Sequence, residues 1–359
     1  MLSPFAAYTI FKAAPYAAEA AEKLSGITVG ADIAPKKNNS LKTDNIDDEV
    51  MLSHGFGWQE PEADEEETPA DTMPTDEQPA DPGVLPYPES LEQRSGSVIQ
   101  TSYGMYRSSQ YINLNGGGQV RNCTSVPNKS LEAQSTVLPQ FKIDINSAPQ
   151  VLIMHTHTTE SFEPYERDFY DKSFGYRTTD NSKNVVMVGN EIKKQLEAAG
   201  IGVIHDKTVH DYPSYNGSYE RSAGTVKAVL NSYPSIKVVL DIHRDAIYKN
   251  GSIMQPVAEI NGKKAAQVMI ISGCDDGTMG MPEYMQNFSL ASLLQQQLED
   301  DYKGLTRPVL FDYRKYNQNL TTGSLLLEIG SHGNTIEQAR YAGELTGKAL
   351  ARALLKIKA

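Results

Sequence analysis

The chain has 359 residues, 39% of them hydrophobic, enough to bury a sizeable core, and this excludes a mini-protein. The formal charge of -12 would disfavour an anionic partner, but it is concentrated: between Thr43 and Gln93 there are sixteen Asp and Glu and no Lys or Arg. Elsewhere 33 basic residues face 29 acidic ones, a surplus of about +4 that is compatible with an anionic polymer.

Residues 1–35 are Ala-rich, with Phe5, Tyr8, Ile10, Phe11 and Tyr16 interrupted by Lys12, Glu19, Glu22 and Lys23. No run approaches the ~20 apolar residues of a spanning helix, and no basic segment precedes the apolar one as in a signal peptide. The expectation is the remnant of a membrane anchor or a leader. Residues 36–95 hold the acidic run and the Pro-rich stretch Pro61–Pro88, a composition that cannot repay its ordering entropy, so a disordered linker is expected there. Residues 96–144, rich in Tyr, Asn, Gly and Ser with short apolar pieces, are expected to form a small accessory segment of a few strands, to which no role is assigned. Cys123 and Cys274 share no metal-binding or redox spacing and are compatible with one disulfide or two thiols.

After Pro149 short apolar runs alternate with helical periods, the signature of an α/β domain with a mostly parallel sheet flanked by helices, over residues 145–359. Strands are predicted at Val151–Met154, Ile201–Ile204, Lys237–Ile242, Pro308–Tyr313 and Ser324–Ile329. Helices are predicted at Lys183–Ala199, stopped by Gly200, at Tyr219–Asn231, Phe288–Tyr302 and Thr335–Ile357. Val257–Ile271, broken by Asn261-Gly262, reads as a hairpin appended to the sheet.

In open α/β sheets reactive groups gather at the carboxyl ends of strands. Three strands here end in such groups: the first runs into His155, His157, Glu160 and Ser161, the second into His243, Arg244 and Asp245, the third into Glu328, Ser331, His332 and Asn334. A single histidine after a strand is ordinarily structural. Together these segments can supply the three protein ligands of a catalytic zinc, drawn from His155 or His157, Glu160 and His243, with a position left for water. A second carboxylate can then act as general base. Glu328 suits that role, since a charge directly after three leucines needs a partner or a function; Arg244 and Arg314 are the partners it would otherwise take. Arg177, Arg244 and Asn334 are candidates for binding substrate hydroxyls and carboxylates, as is Tyr165. His205 and His210 sit in a Tyr-rich loop where exposed structural roles are expected. Glycine-rich phosphate loops are absent, which weighs against a nuclease or phosphatase.

The HTHTTESF segment from His155 to Phe162, the DIHRD segment from Asp241 to Asp245 and the LLEIGSHGN segment from Leu326 to Asn334 resemble, in order, the motifs of the stage II sporulation protein P family. The resemblance implies a fold similar to zinc-dependent N-acetylmuramoyl-L-alanine amidases, whose zinc is held by two His and one Glu, with a second Glu as base. It implies peptidoglycan as substrate, cut at the amide between N-acetylmuramic acid and L-alanine, with endopeptidase activity on cross-links as an alternative. It also implies action at the sporulation septum during wall thinning and engulfment, outside the cytoplasm and at the membrane, beside a lytic transglycosylase and a polytopic membrane protein. On these motifs His243 matches the later histidine ligand and Glu328 the catalytic glutamate. The related amidases carry their glutamate ligand at the start of the first long helix, where this chain has Asn181, Ser182 and Lys183; Glu160 is its expected substitute, with Asp180 or water as the other choices. A wall-binding module without turnover is the competing reading.

Overall fold

The computed structural model describes residues 83–359. The anchor-remnant reading and most of the acidic linker lie outside the described residues. In chain order the elements are β1 (Gly96–Thr101), β2 (Tyr111–Asn113), β3 (Gln119–Asn122), α1 (Asn128–Gln134), β4 (Val151–Met154), β5 (Phe169–Tyr170), α2 (Val185–Ala198), β6 (Val203–His205), α3 (Ser218–Ser232) and β7 (Val238–Asp245). There follow β8 (Tyr248–Lys249), β9 (Ser252–Ile260), β10 (Lys263–Ala266), β11 (Val268–Gly273), α4 (Tyr284–Asp301), β12 (Val309–Asp312), β13 (Ser324–Ser331) and α5 (Ile336–Leu355). No helix of the described residues is long and apolar enough to cross a membrane.

Eight strands form the main sheet in the order β2-β3-β12-β11-β13-β7-β4-β6. Its pairs are parallel except β2 with β3 and β11 with β13. Every residue of β4, β7 and β13 is buried, as expected of central strands covered on both faces. Helices α2, α4 and α5 cover one face; their apolar residues join Ile153, Leu240, Ile242, Leu325 and Leu327 in the largest core. α3 covers part of the other, where Val226 packs with Leu152, Met154 and Val239. α2 is capped by Asn184, whose side chain accepts from Val186 N at 3.0 Å, and α5 opens with a capping box of Thr335 and Gln338.

The later part of the segment 96–144 is not an accessory to this sheet but part of it: β2 and β3 form its far edge, and β3 pairs with β12. The reason is that Ile112, Leu114, Val120 and Leu131, too few for a core of their own, are buried in the main one. β1 belongs to a second sheet, β10-β9-β1-β5, with β8 paired to β9. The expected hairpin is therefore β9–β10 alone, turning at Asn261 and Gly262, both at positive φ, while β11 runs on into the main sheet against β13. Both cysteines are free thiols.

The end of the expected linker is likewise ordered on the domain. Leu85 exchanges hydrogen bonds with Thr178 and Thr179, the Tyr87 hydroxyl donates to Phe162 O at 2.8 Å, and Leu91 is buried with Val98, Phe174, Tyr176 and Ile253. Two apolar side chains suffice to anchor so short a strap. A chain starting at Gly96 should therefore be less stable than one starting at Gly83 by about 2–5 kcal/mol, the worth of burying a Leu and part of a Tyr; urea unfolding of the two would check this.

Candidate active site

Strand alternation decides which side chains can meet. On β7, Leu240 and Ile242 point into the core beneath α2 and α5, so Asp241, His243 and Asp245 point to the opposite face. On β13, Glu328 pairs directly with His243, and Leu325, Leu327 and Ile329 point into the core, so Glu328 shares the face of His243. On β4, Ile153 points beneath α2 and His155, two residues on, follows it: a Cβ built on Gly189 of α2 would stand 3.1 Å from the His155 ring. The next residues leave the sheet in a loop tied down by threonines. Thr156 donates to Asp241 through its N–H at 2.8 Å and its hydroxyl at 2.6 Å, and Thr159 donates to Asp211 through both groups. That loop returns His157 and Glu160 to the face of His243.

The result is a buried cluster. His243 Nδ1 lies 3.4 Å from Glu160 Oε2, its Nε2 lies 2.8 Å from Asp241 Oδ1, and its ring meets that of His157 edge-on at 5.2 Å. Burial opposes charge on His243, but Asp241 and Glu160 outweigh it and raise its pKa well above the usual histidine value. The Glu160 carboxyl is held well below the usual range, against the effect of its own burial, by Arg244 and His243. Burial lowers the pKa of His157 to about 3, so this ring is neutral and able to offer a lone pair. Its Nε2 is 3.2 Å from the Tyr215 hydroxyl and its Nδ1 3.4 Å from Ser218 Oγ, with the Tyr215 ring stacked on it at 4.6 Å.

His155 stands apart from this cluster. Its Nδ1 donates to Ile242 O at 2.9 Å, which leaves Nε2 to accept from His205 Nε2 at 2.8 Å, and burial lowers its pKa to about 4. Both of its nitrogens are thus engaged beneath α2. Asp180 is also elsewhere, bonded to Ser182 and Lys183. The donor set that remains, two imidazoles and a carboxylate, is of the kind zinc takes, although among the described residues no three His, Cys, Asp or Glu side chains stand ready to hold a metal ion.

Of the residues expected in a substrate cleft, Tyr165 is exposed, whereas Arg244, Arg177 and Asn334 are held in contacts within the protein. The Arg244 guanidinium is buried and donates to Ser161 O at 3.3 Å and Tyr176 O at 3.0 Å, while its backbone N–H donates to Glu160 Oε2 at 3.1 Å. Arg177 binds Asp211 and Thr159 and lies 3.8 Å from Glu160 Oε1. Asn334 is fully buried: its amide donates to Pro256 O and Gln338 Oε1 and its oxygen accepts from Ser331 N. That last bond closes the irregularity in β13 after Glu328, where Gly330 has φ 63° and an added Cβ would meet Asn334 Oδ1 at 2.4 Å. His332 packs between Tyr176 and Tyr248, at 4.9 and 4.8 Å. His210, expected to be exposed, is buried, with Nδ1 donating to His155 O. Sequence reasoning passed over Asp241, although its alternation with His243 on one strand was the signal, and passed over Tyr215, Tyr219 and Tyr316, which wall the cluster and which no spacing singled out.

These features define an α/β protein with an imidazole and carboxylate cluster at the carboxyl edge of its central parallel strands. The chain belongs to the stage II sporulation protein P family, whose pattern matches residues 58–354. A curated relative, the stage II sporulation protein P of Bacillus subtilis (strain 168), is 33% identical over 205 residues, 54% of this chain and 48% of the relative, so the chain spans about half the length of that protein. Among solved structures, an N-acetylmuramoyl-L-alanine amidase of Nostoc punctiforme is similar at a TM-score of 0.35 and 14% identity, over 58% of this chain and 96% of that one. The CwlD amidase of Clostridioides difficile, solved with the GerS lipoprotein, is similar at 0.34 and 15%, over 58% and 98%. At these TM-scores neither overlap bears on the site.

Proposed function

We propose that this chain is a zinc-dependent peptidoglycan hydrolase of sporulation that cuts the amide between N-acetylmuramic acid and L-alanine. Membership of the sporulation family supports the process. The observation that carries the chemistry is the register of Glu328 with His243 on adjacent strands, with Glu160 and His157 against the same imidazole.

In this reading His157, Glu160 and His243 would hold the metal, which when bound supplies Lewis acidity toward the amide carbonyl and toward water. Asp241 orients the His243 ring, and is itself fixed by two hydrogen bonds from Thr156. Arg244 and His243 keep Glu160 ionised. Glu328 takes the proton of the attacking water and passes it to the leaving amide nitrogen. Glycosidic cleavage would need two carboxylates placed across a sugar ring, whereas this cluster sets one glutamate, Glu328, in register with His243 of the ligand set. The site would act outside the cytoplasm at the septal membrane, beside a lytic transglycosylase and a polytopic membrane protein, as the family resemblance suggests.

Mass analysis of digested peptidoglycan tests the bond. Free peptide stems with new L-alanine amino termini, without new reducing ends, are expected. Loss of cross-links with every stem retained would replace the reading by an endopeptidase, and new reducing sugars would overturn both. One observation favours a wall-binding module without turnover: the donors do not converge as placed, and Tyr215 sits on His157. Wall binding with no released product would establish that reading instead.

A further inference from the structure

The start of α3 places an aromatic side chain in the site in an unusual state. The helix is entered through Gly217, whose φ of 78° and whose closeness to Arg221, 2.9 Å from an added Cβ, suit glycine alone. This turn sets Ser218 against His157 and brings the Tyr219 ring edge-on to the same imidazole at 5.6 Å. On its other side Tyr219 stacks on Tyr316, with ring centroids 5.2 Å apart and planes at 22°. Tyr316 has φ 41°, a left-handed backbone that a bulky residue rarely adopts and that persists only where its surroundings over-determine it. Those surroundings are visible. Arg314 donates to the Tyr316 hydroxyl, and Asn317, also left-handed, donates to Tyr219 O at 2.9 Å and to Ser222 Oγ at 3.1 Å. The strained loop after β12 is thus held in contacts that fix the ring of Tyr219.

The Tyr219 hydroxyl, by contrast, is buried and has no hydrogen-bond partner among the described residues. Buried phenols ordinarily find one, and an orphaned donor in a native structure calls for an explanation. Nothing in its packing supplies it. Burial first, and then the charges of Asp241, Tyr316, Glu328 and Glu160, hold its pKa well above the ordinary phenol value. Glu328 Oε2 is buried as well.

We infer that the Tyr219 hydroxyl is a catalytic hydrogen-bond donor for the carbonyl oxygen of the scissile amide, an assignment that rests on the amide-hydrolase reading. As water adds to the carbonyl carbon, the C=O π pair moves onto oxygen, and that oxygen accepts the Tyr219 O–H. Glu328 removes the proton of the water and delivers it to the nitrogen as the C–N bond breaks. Tyr219 keeps its proton throughout. A donor without a partner in the resting protein gains its bond when charge develops on the substrate oxygen, which is where preorganised donors act most strongly.

The test is the Tyr219→Phe full chain beside the wild type on purified peptidoglycan, with kcat and KM, bound zinc and thermal unfolding measured on both. The expected result is a fall in kcat of about 10²–10³-fold, KM within about twofold, unchanged zinc, and a Tm equal to or above that of the wild type, because the stack on Tyr316 is kept and an unpaired hydroxyl is removed. Wild-type kcat in the variant would overturn the assignment. So would a loss of rate that comes with lost zinc or a lowered Tm, which marks a structural role. If the wild type itself releases no stems, the amide-hydrolase reading falls and takes this assignment with it, and that failure is recognised from the wild-type digest alone.

Discussion

On the proposed function, the Glu328→Gln protein should keep its fold, bind zinc as the wild type does and lose roughly two to four orders of magnitude in rate, the range for a positioned acid-base group. Glutamine preserves the volume and the polarity of the side chain but cannot take a proton from water. The fold should not suffer. Glu328 lies in the middle of a fully buried strand, between Met269 of β11 and His243 of β7, and replacing a buried carboxylate by a neutral amide removes a desolvation penalty. The measurement is turnover on purified peptidoglycan with metal content determined on the same sample. Retained zinc with lost rate assigns Glu328 to proton transfer. Lost zinc would move it into the ligand set, and an unchanged rate would remove it from the mechanism.

The strands that carry the cluster were legible because each is a short, wholly apolar run ended by polar residues. Val151–Met154 emerged with the predicted bounds, β7 extends its predicted strand to include His243, and β13 runs two residues beyond a predicted strand that already held Glu328. Glu160 was legible as a ligand candidate from its place in the motif after the first strand, and the Asn181-Ser182-Lys183 run where the related amidases carry their glutamate pointed to it again. What stayed hidden depends on contacts between distant segments. The choice between His155 and His157, which share one parity, turns on the chain leaving the sheet after β4: His155 stays beneath α2 while the loop carries His157 across to His243, and alternation alone cannot place that departure. Arg244 and Asn334 stand in the same motifs as His243 and Glu328, yet their hydrogen bonds run to Ser161, Tyr176, Pro256 and Gln338, which no local pattern connects to them. The strap around Leu91 was hidden by its neighbours, because two anchoring side chains do not alter the composition of an acidic, proline-rich window.

The two histidines of the first motif should therefore separate cleanly when each is replaced by alanine. The His157→Ala protein should remain folded and lose zinc, because the ring contributes to the cluster through a neutral nitrogen held only by contacts at 3.2 and 3.4 Å. A site with three protein ligands cannot spare one, so its loss should exceed the roughly 10–100-fold cost in metal affinity of removing a supporting residue. Activity should fall with the metal and return at most partly on adding excess zinc. The His155→Ala protein should do the reverse. Its ring is buried beneath α2 and both nitrogens are engaged, so the change opens a cavity and deprives Ile242 O and His205 of their partners, at about 2–4 kcal/mol of stability. Zinc should still bind to the folded fraction, since His157, Glu160 and His243 are untouched. Equilibrium dialysis against zinc and urea unfolding, run on both proteins, decide the matter: loss of metal from the His155 variant with metal retained by the His157 variant would exchange their roles, and retention by both would remove this motif's histidines from the metal site.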